Sequence, residues 1–364
     1  MRKSEQMLFA LLRSSLHEKE AELSFFQNIT GDHWKECYQL AVSQGVMALA
    51  WDGVLMLPNE LQPPRALKLA WGLAVEKYEA RYLRYCKVVD KISKFYAEHG
   101  ITTVQLKGVG FSTLYPVPSH REGGDIDIYT YSSDRSEMSD AQANILADTL
   151  MVEQGIEVEN HSYKHSNFYY MGIPVENHKV FLNVKDMKEA ECANGILQRE
   201  LDPQTVSLAY GQVNIPSAKF NTLFIAFHAF QHYGSGLALH HLCDWAVILK
   251  NYGLLFPQQM MESRFYDGVK ALTVLCNKLL GTNVQVDGDE KLAQKILGEI
   301  LDPAYTVHVP CKTKIGVFLY KTRRFIHNYR IKSHIFDISL AKHVWGSAIS
   351  HIRNPKTIFE RNEK

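Results

Sequence analysis

Residues 101–131 read ITTVQLKG, VGFSTLY, PVPSHREGG and DIDIYTY in turn. The first piece is a short strand-like run that stops at Gly108. VGFSTLY has room for one or two helical turns before Pro116 and Pro118 end it. SHREGG is polar and glycine-bearing, hence a loop. DIDIYTY alternates strictly, the signature of a strand. Strand, short helix, loop and strand place an α+β region in the middle of the chain.

Working outward, residues 133–154 are expected to be helical, with Ser133 as cap and Gly155 beyond the end. Strands are expected at 156–160, 165–171 and 173–184, with Met171-Gly172 as the tight turn between the last two. Upstream, 1–99 reads as helical. Over 64–98 the positions Leu67, Trp71, Ala74, Tyr78, Tyr82, Tyr85, Val89, Ile92 and Tyr96 recur at three and four. Pro63 and Pro64 open that helix and Gly100 closes it. Its aromatic residues are expected in the core rather than as a platform for stacking bases. From 217 the chain returns to helix: Ser217 caps KFNTLFIAFHAFQHYG, and further helices run over 237–251, 256–281 and 289–301. The segment 312–336 is amphipathic and basic through Lys312, Lys314, Lys321, Arg323, Arg324, Arg330 and Lys332. The organisation expected is α+β: a helical region at 1–99, an α/β core at 100–215, a helical domain at 216–302 closing the cleft, and a basic helical tail at 303–364.

Composition narrows the class. With 364 residues, 46% hydrophobic and 22% charged, the chain is ordinary for a globular protein and unlike a disordered, collagen-like or coiled-coil one. Lys+Arg at 40 nearly balances Asp+Glu at 39, so the total charge points to neither nucleic acid nor a membrane as partner. Residues 301–364 hold 12 Lys/Arg against 4 Asp/Glu, a local balance of +8, so the tail differs from the body. No apolar run is long enough for a spanning helix, and the N-terminus reads as an amphipathic helix rather than a signal peptide. Six cysteines without CxxC spacing suit reduced, mostly buried thiols and a cytoplasmic location.

The chemistry concentrates in carboxylates. Asp125 and Asp127 lie two apart on the expected strand, so both project from one face, with Cα atoms roughly 6–7 Å apart. Ile126 and Ile128 then face the core. Taken alone, the pair suits the solvated face of an edge strand. Two carboxylates held parallel also suit a hard cation between them, and Mg²⁺ prefers oxygen. Lys107-Gly108 ends the preceding strand, where a glycine lets backbone N–H groups approach a phosphate. Arg121 offers a bidentate phosphate contact. Downstream, Glu176 and His178 share a face of another strand, which makes Glu176 a candidate third carboxylate.

LKG…LYPVPSHREGGDIDIY followed by PVENHKVF resembles the uncharacterised bacterial nucleotidyltransferase family of the DNA polymerase β-like superfamily. The matching residues are Leu106, Lys107 and Gly108; Tyr115 and Pro116; Arg121; Asp125 and Asp127; Glu176 and His178. In FIAFHAFQHYGSGLALHHLCDWAVIL, His228, His232 and Asp244 match the family's helical segment. The resemblance spans about 100 to 250; residues 1–99 and 300–364 match only in being helical. Two departures stand out: Val109 follows Gly108, with seventeen positions from Gly108 to Asp125, and the third carboxylate is Glu.

The resemblance implies a small mixed-sheet core that moves an NMP from an NTP such as ATP to an acceptor, releasing pyrophosphate, with two Mg²⁺ (or Mn²⁺) ions. Asp125, Asp127 and Glu176 are then the catalytic metal ligands. Lys107, Gly108, Arg121, His178, His232 and Asp244 address the nucleotide. The acceptor is a small molecule, sugar-linked substrate or protein in preference to RNA. Two other readings stay open. One is a non-catalytic nucleotide-binding or regulatory protein on the same fold. The other is a metal phosphohydrolase built on His228, His232, His240, His241 and Asp244, whose spacing suits metal ligands but which lacks a His-Asp dipeptide.

Overall fold

A computed structural model describes residues 1–160, 162–183, 188–234, 236–305, 309–311 and 313–340. Its contacts divide the chain into two units. Met1–Phe181, Arg199–Asn221 and Leu279–Gly281 form the first; Leu182–Gln198, Thr222–Lys278 and Thr282–Lys364 form the second. Val184, Lys312 and the stretch 341–364, to which the expected strand end and much of the basic tail belong, lie outside the described residues.

In chain order the first unit begins with helices α1 (Lys3–His17), α2 (Gly31–Ser43), α3 (Met47–Leu55) and α4 (Arg65–Ala97). Strand β1 (Ile101–Gln105), helix α5 (Gly108–Ser112), strand β2 (Ile126–Ser132) and helix α6 (Asp140–Glu153) follow. Strands β3 (Val158–Glu159), β4 (His165–Tyr170) and β5 (Ile173–His178) come next. After α7 (Lys188–Arg199), which belongs mostly to the second unit, come β6 (Gln204–Leu208) and β7 (Gly211–Ile215). The seven strands make one mixed sheet in the order β3-β4-β5-β2-β1-β7-β6. Helix α4 spans what its period predicts, and Gly100 just past it takes a φ of +71°, the left-handed conformation that glycine adopts at least cost.

Expectation and structure differ at three places in this unit. Helix α6 starts at Asp140, not after Ser133, because Ser139 caps it: the Ser139 hydroxyl accepts from Gln142 N–H. Before it, Asp134 accepts from the N–H and hydroxyl of Ser136 and holds that segment as a turn. Strand β5 ends at His178 rather than near 184. The hairpin β6–β7, closed by a two-residue turn at Ala209-Tyr210, was not expected; β7 pairs parallel with β1 at Val104–Asn214. The Met171-Gly172 turn is as expected, with both residues at positive φ.

One face of the sheet carries the core. Ile126, Ile128, Val175 and Phe168 pack with Val89, Ile92 and Tyr96 of α4 and Ala143, Ala147 and Met151 of α6. The Tyr96 hydroxyl donates to the Ala147 carbonyl at 3.2 Å, tying the two helices together. Within this apolar layer lies a polar knot. Asn144 donates to Thr130, Asn177 and the His178 carbonyl, each at 3.0 Å, and Asn177 donates to Asp148 at 2.9 Å. Buried amides cost energy unless satisfied, so this network fixes α6 in register with β2 and β5.

The second unit is helical among its described residues. It includes α8 (Ala218–Gln231), most of which lies in this unit, α9 (Leu239–Tyr252), α10 (Arg264–Leu275), α11 (Glu290–Leu301) and α12 (Lys314–Lys332). Phe227, Phe230, Phe265 and Phe336 stack at its centre, the Phe227 and Phe265 centroids 3.9 Å apart. All six cysteines are free. No described helix is long and apolar enough to cross a membrane.

Candidate active site

Pairing of β1 with β2 and of β2 with β5 assembles the site. β2 runs parallel to β5 with Asp127 opposite Glu176 and Tyr129 opposite His178. Side chains on paired positions share a face, so Asp127, Glu176 and His178 meet on the sheet face opposite Ile126 and Ile128. One ligand atom from each of the three lies within 4.8 Å of the others. The seventeen-residue gap from Gly108 to Asp125 does not separate them: β1 and β2 are antiparallel neighbours, and a Cβ on Gly108 would sit 3.5 Å from the Asp125 carbonyl oxygen. Gly108 takes a φ of +65° at the start of α5, a conformation that makes glycine the fitting residue there.

Asp127 is fully buried, not part of a solvated strand face. Its Oδ1 accepts from His178 Nε2 at 3.0 Å, and the Lys107 ammonium lies 3.0 Å from Oδ2. That charge-assisted contact uses one lone pair of Oδ2 and leaves the other open. Burial pushes the Asp127 carboxyl up, but Lys107 and the His178 N–H pull harder and hold it well below the usual carboxylate range. Asp125, half-buried just before β2, goes the other way: burial and the Asp127 charge push it up to about 6 against the pull of Lys107. Glu176 Oε2 lies 3.5 Å from Nε2 of both His178 and His165. Burial raises this carboxyl and Asp127 repels it, yet His178 and His165 leave it below its ordinary value. Burial depresses the Lys107 ammonium, and Asp127 and Asp125 more than restore it.

Two residues here escaped the sequence reading. Lys164 is half-buried beside Lys107, Asp127 and Glu176, and burial followed by repulsion from Lys107 lowers its ammonium below the ordinary value. His165 pairs across the ladder with His178. His165 opens a stretch that reads as ordinary polar strand and Lys164 comes just before it, and the β4–β5 pairing is what sets His165 opposite His178.

Arg121 lies over the Phe111 ring at 5.1 Å, in the wall of a slot shared with Gly108, Gly123 and Asp125. Tyr78, Tyr82 and Tyr85 of α4 line the same slot. The expectation of core aromatics therefore holds for Trp71 and Tyr96, which are fully buried, and for Tyr82 and Tyr85, which are half-buried and pack against the core while also lining the slot; it fails for Tyr78.

His232 and Asp244 belong to the second unit. There His228, His232 and His241 also bring ligand atoms within 4.8 Å of one another. Their rings contact one another, with centroids 4.8–5.3 Å apart. The lone pair of His241 Nδ1, however, accepts from the Ala238 N–H at 3.1 Å, capping α9. A neutral imidazole accepting at Nδ1 carries its proton on Nε2, where it donates and offers a metal no lone pair.

No curated protein and no solved structure matches the chain. A protein-family model, the uncharacterised nucleotidyltransferase family, matches residues 30–281. The match starts well before residue 100, so α2, α3 and α4 are part of what the family shares, and their likeness is more than a shared helical character. With more than half the chain covered, and with Lys107, Gly108, Asp125, Asp127 and Glu176 gathered at one end of the matched sheet, the chain belongs to the uncharacterised nucleotidyltransferase family and is an enzyme of the nucleotidyl-transfer class.

Proposed function

We propose that the protein transfers an NMP from an NTP to an acceptor in a Mg²⁺-dependent reaction, with Asp125, Asp127 and Glu176 as metal ligands. The observation that carries this reading is the register that sets buried Asp127 beside Glu176. The fit to a hard cation rests on the donor set. It has three carboxylates, of which Asp127 presents a buried oxygen whose close partner is the Lys107 ammonium and which keeps a lone pair for a cation. Asp125, Asp127 and Glu176 would hold the ions, which would supply Lewis acidity toward an attacking hydroxyl and positive charge for the leaving pyrophosphate.

The chain's own groups do the rest. The acceptor oxygen bonds the α-phosphorus as the α–β bridging P–O bond breaks, and pyrophosphate departs with the electron pair. Glu176 takes the acceptor proton. Lys107 and Lys164 hold the β- and γ-phosphates, and the Gly108 backbone and Arg121 hold the nucleotide alongside. His178 donates to Asp127 and keeps that carboxylate aimed; it is a positioning residue. The acceptor fits the classes named above, a small molecule, a sugar-linked substrate or a protein. Glu176→Gln, a change at a half-buried position, should abolish transfer from an α-labelled NTP without unfolding the chain; transfer at the wild-type rate would end the proposal.

One observation favours a second reading, nucleotide binding without turnover: Lys107 already neutralises Asp127 at 3.0 Å. Calorimetry with each NTP and Mg²⁺ separates the two, since tight binding with no pyrophosphate release supports the second.

A further inference from the structure

The slot between α4 and the loop before β2 adjoins the carboxylate cluster through Asp125 and includes Gly108 and Arg121 of the proposed nucleotide site. Tyr78, Tyr82, Tyr85, Gly108 and Gly123 are among its lining residues. The slot is narrow and its exposed lining is mostly apolar, which suits a flat ring rather than a whole nucleotide.

Its two walls are locked together. The Tyr78 hydroxyl donates to the Glu122 carboxylate at 3.2 Å, and the Tyr85 hydroxyl donates to the Gly124 carbonyl at 3.0 Å. The hydroxyl ends of the rings are therefore fixed on the loop that presents Asp125. Arg81, itself part of the lining, lies over the Tyr78 ring at 4.7 Å. A platform ordered in advance does not lose side-chain freedom when a ring stacks on it.

The loop glycines carry the argument further. Neither Gly123 nor Gly124 has a positive φ, and a Cβ on either would meet nothing within 4 Å. Backbone conformation and internal packing therefore both admit larger residues at these positions. What glycine does provide is a bare backbone surface on which a planar group can lie in van der Waals contact.

We propose that this slot binds the nucleobase of the NTP, stacked on the α4 tyrosines and against the Gly123-Gly124 backbone. The inference rests on the nucleotidyl-transfer reading. The slot adjoins the carboxylates through Gly108 and Asp125, both in its lining, so a nucleotide whose phosphates sit on the metal ligands has its base within reach of it. Stacking on aromatic rings tolerates every base, so discrimination among the four should be modest.

The test is equilibrium binding of ATP, GTP, CTP, UTP and inorganic tripolyphosphate, each with Mg²⁺, to the full chain and to Gly123→Val and Tyr78→Ala. Both variants should weaken NTP binding about tenfold or more, the loss expected for one stacking partner, and leave tripolyphosphate binding unchanged. NTP affinities equal to wild type in both variants, or a parallel loss for tripolyphosphate, would overturn the slot assignment. The outcome is separable from the parent reading. Transfer that persists in Glu176→Gln overturns the reaction while NTP binding still reports on the slot. Absence of NTP binding to the wild type overturns both.

Discussion

The acidic cluster of the first unit and the histidine cluster of the second use the same spacing. In each, three ligand-type side chains come within 4.8 Å. Their surroundings set them apart. Around Asp127 and Glu176, cationic and N–H donors face carboxylates, and a buried carboxylate oxygen keeps acceptor capacity. Around His228 and His232, imidazoles face imidazoles, and His241 has spent its Nδ1 lone pair on a helix cap. Proximity of ligand types therefore does not define a metal site. The atoms must also be free to donate a lone pair, and the hydrogen-bond inventory decides that.

The largest expected effect tests this contrast directly. Glu176→Gln should cut turnover by about 10³-fold or more, the scale of losing a metal ligand or an electrostatic stabiliser. His228→Ala should leave turnover unchanged. The reverse pattern in labelled-NTP assays would move the active site to the second unit.

Next in size is stability. Asp127→Asn leaves the buried Lys107 ammonium without its partner, which should cost about 3–5 kcal/mol in denaturant unfolding. Adding Lys107→Met should recover part of that loss, and a double-mutant cycle showing no coupling would refute the buried pair. On the core face, Asn144→Ala removes several buried hydrogen bonds and should cost about 2–4 kcal/mol. A loss under about 0.5 kcal/mol would mean the polar knot does not hold α6.

The smallest effect is one of pH. His120 joins Asp52 at 2.8 Å and Glu79 at 3.0 Å, bracing the turn before the Asp125 loop against α3 and α4. Burial lowers its imidazole, but the two carboxylates outweigh burial and raise it above the ordinary value. The charged form is the one favoured by folding. Its stabilisation is complete below the unfolded value of about 6.5 and is lost as pH rises through the higher folded value. Urea midpoints taken above about pH 6.5 should therefore decline in the wild type more steeply than in His120→Gln. Parallel curves would remove His120 as the cause.

Much of this was legible beforehand. The 3.6-residue period of α4, the strand DIDIY and the Met171-Gly172 turn each carry a local signal strong enough to survive folding. The start of α6 was misplaced because two serines compete as caps, and local sequence does not say which hydroxyl finds an N–H. Strand β7 was missed because its pairing with β1 joins residues more than a hundred positions apart.

By itself the sequence determined the kinds of group available and their local geometry: which carboxylates share a strand face, where glycine ends a strand, and which histidines share a helix face. These depend on backbone periods that a few neighbouring residues set. Only the tertiary structure decided that Asp127 is buried, that Glu176 meets it through the β2–β5 pairing, that Lys164 and His165 join them, and that Tyr78, Tyr82 and Tyr85 line a slot. Burial and charge pairing are sums over distant residues. The same aspartate serves as solvated surface or as a buried acid held ionised, according to which strand lies beside it.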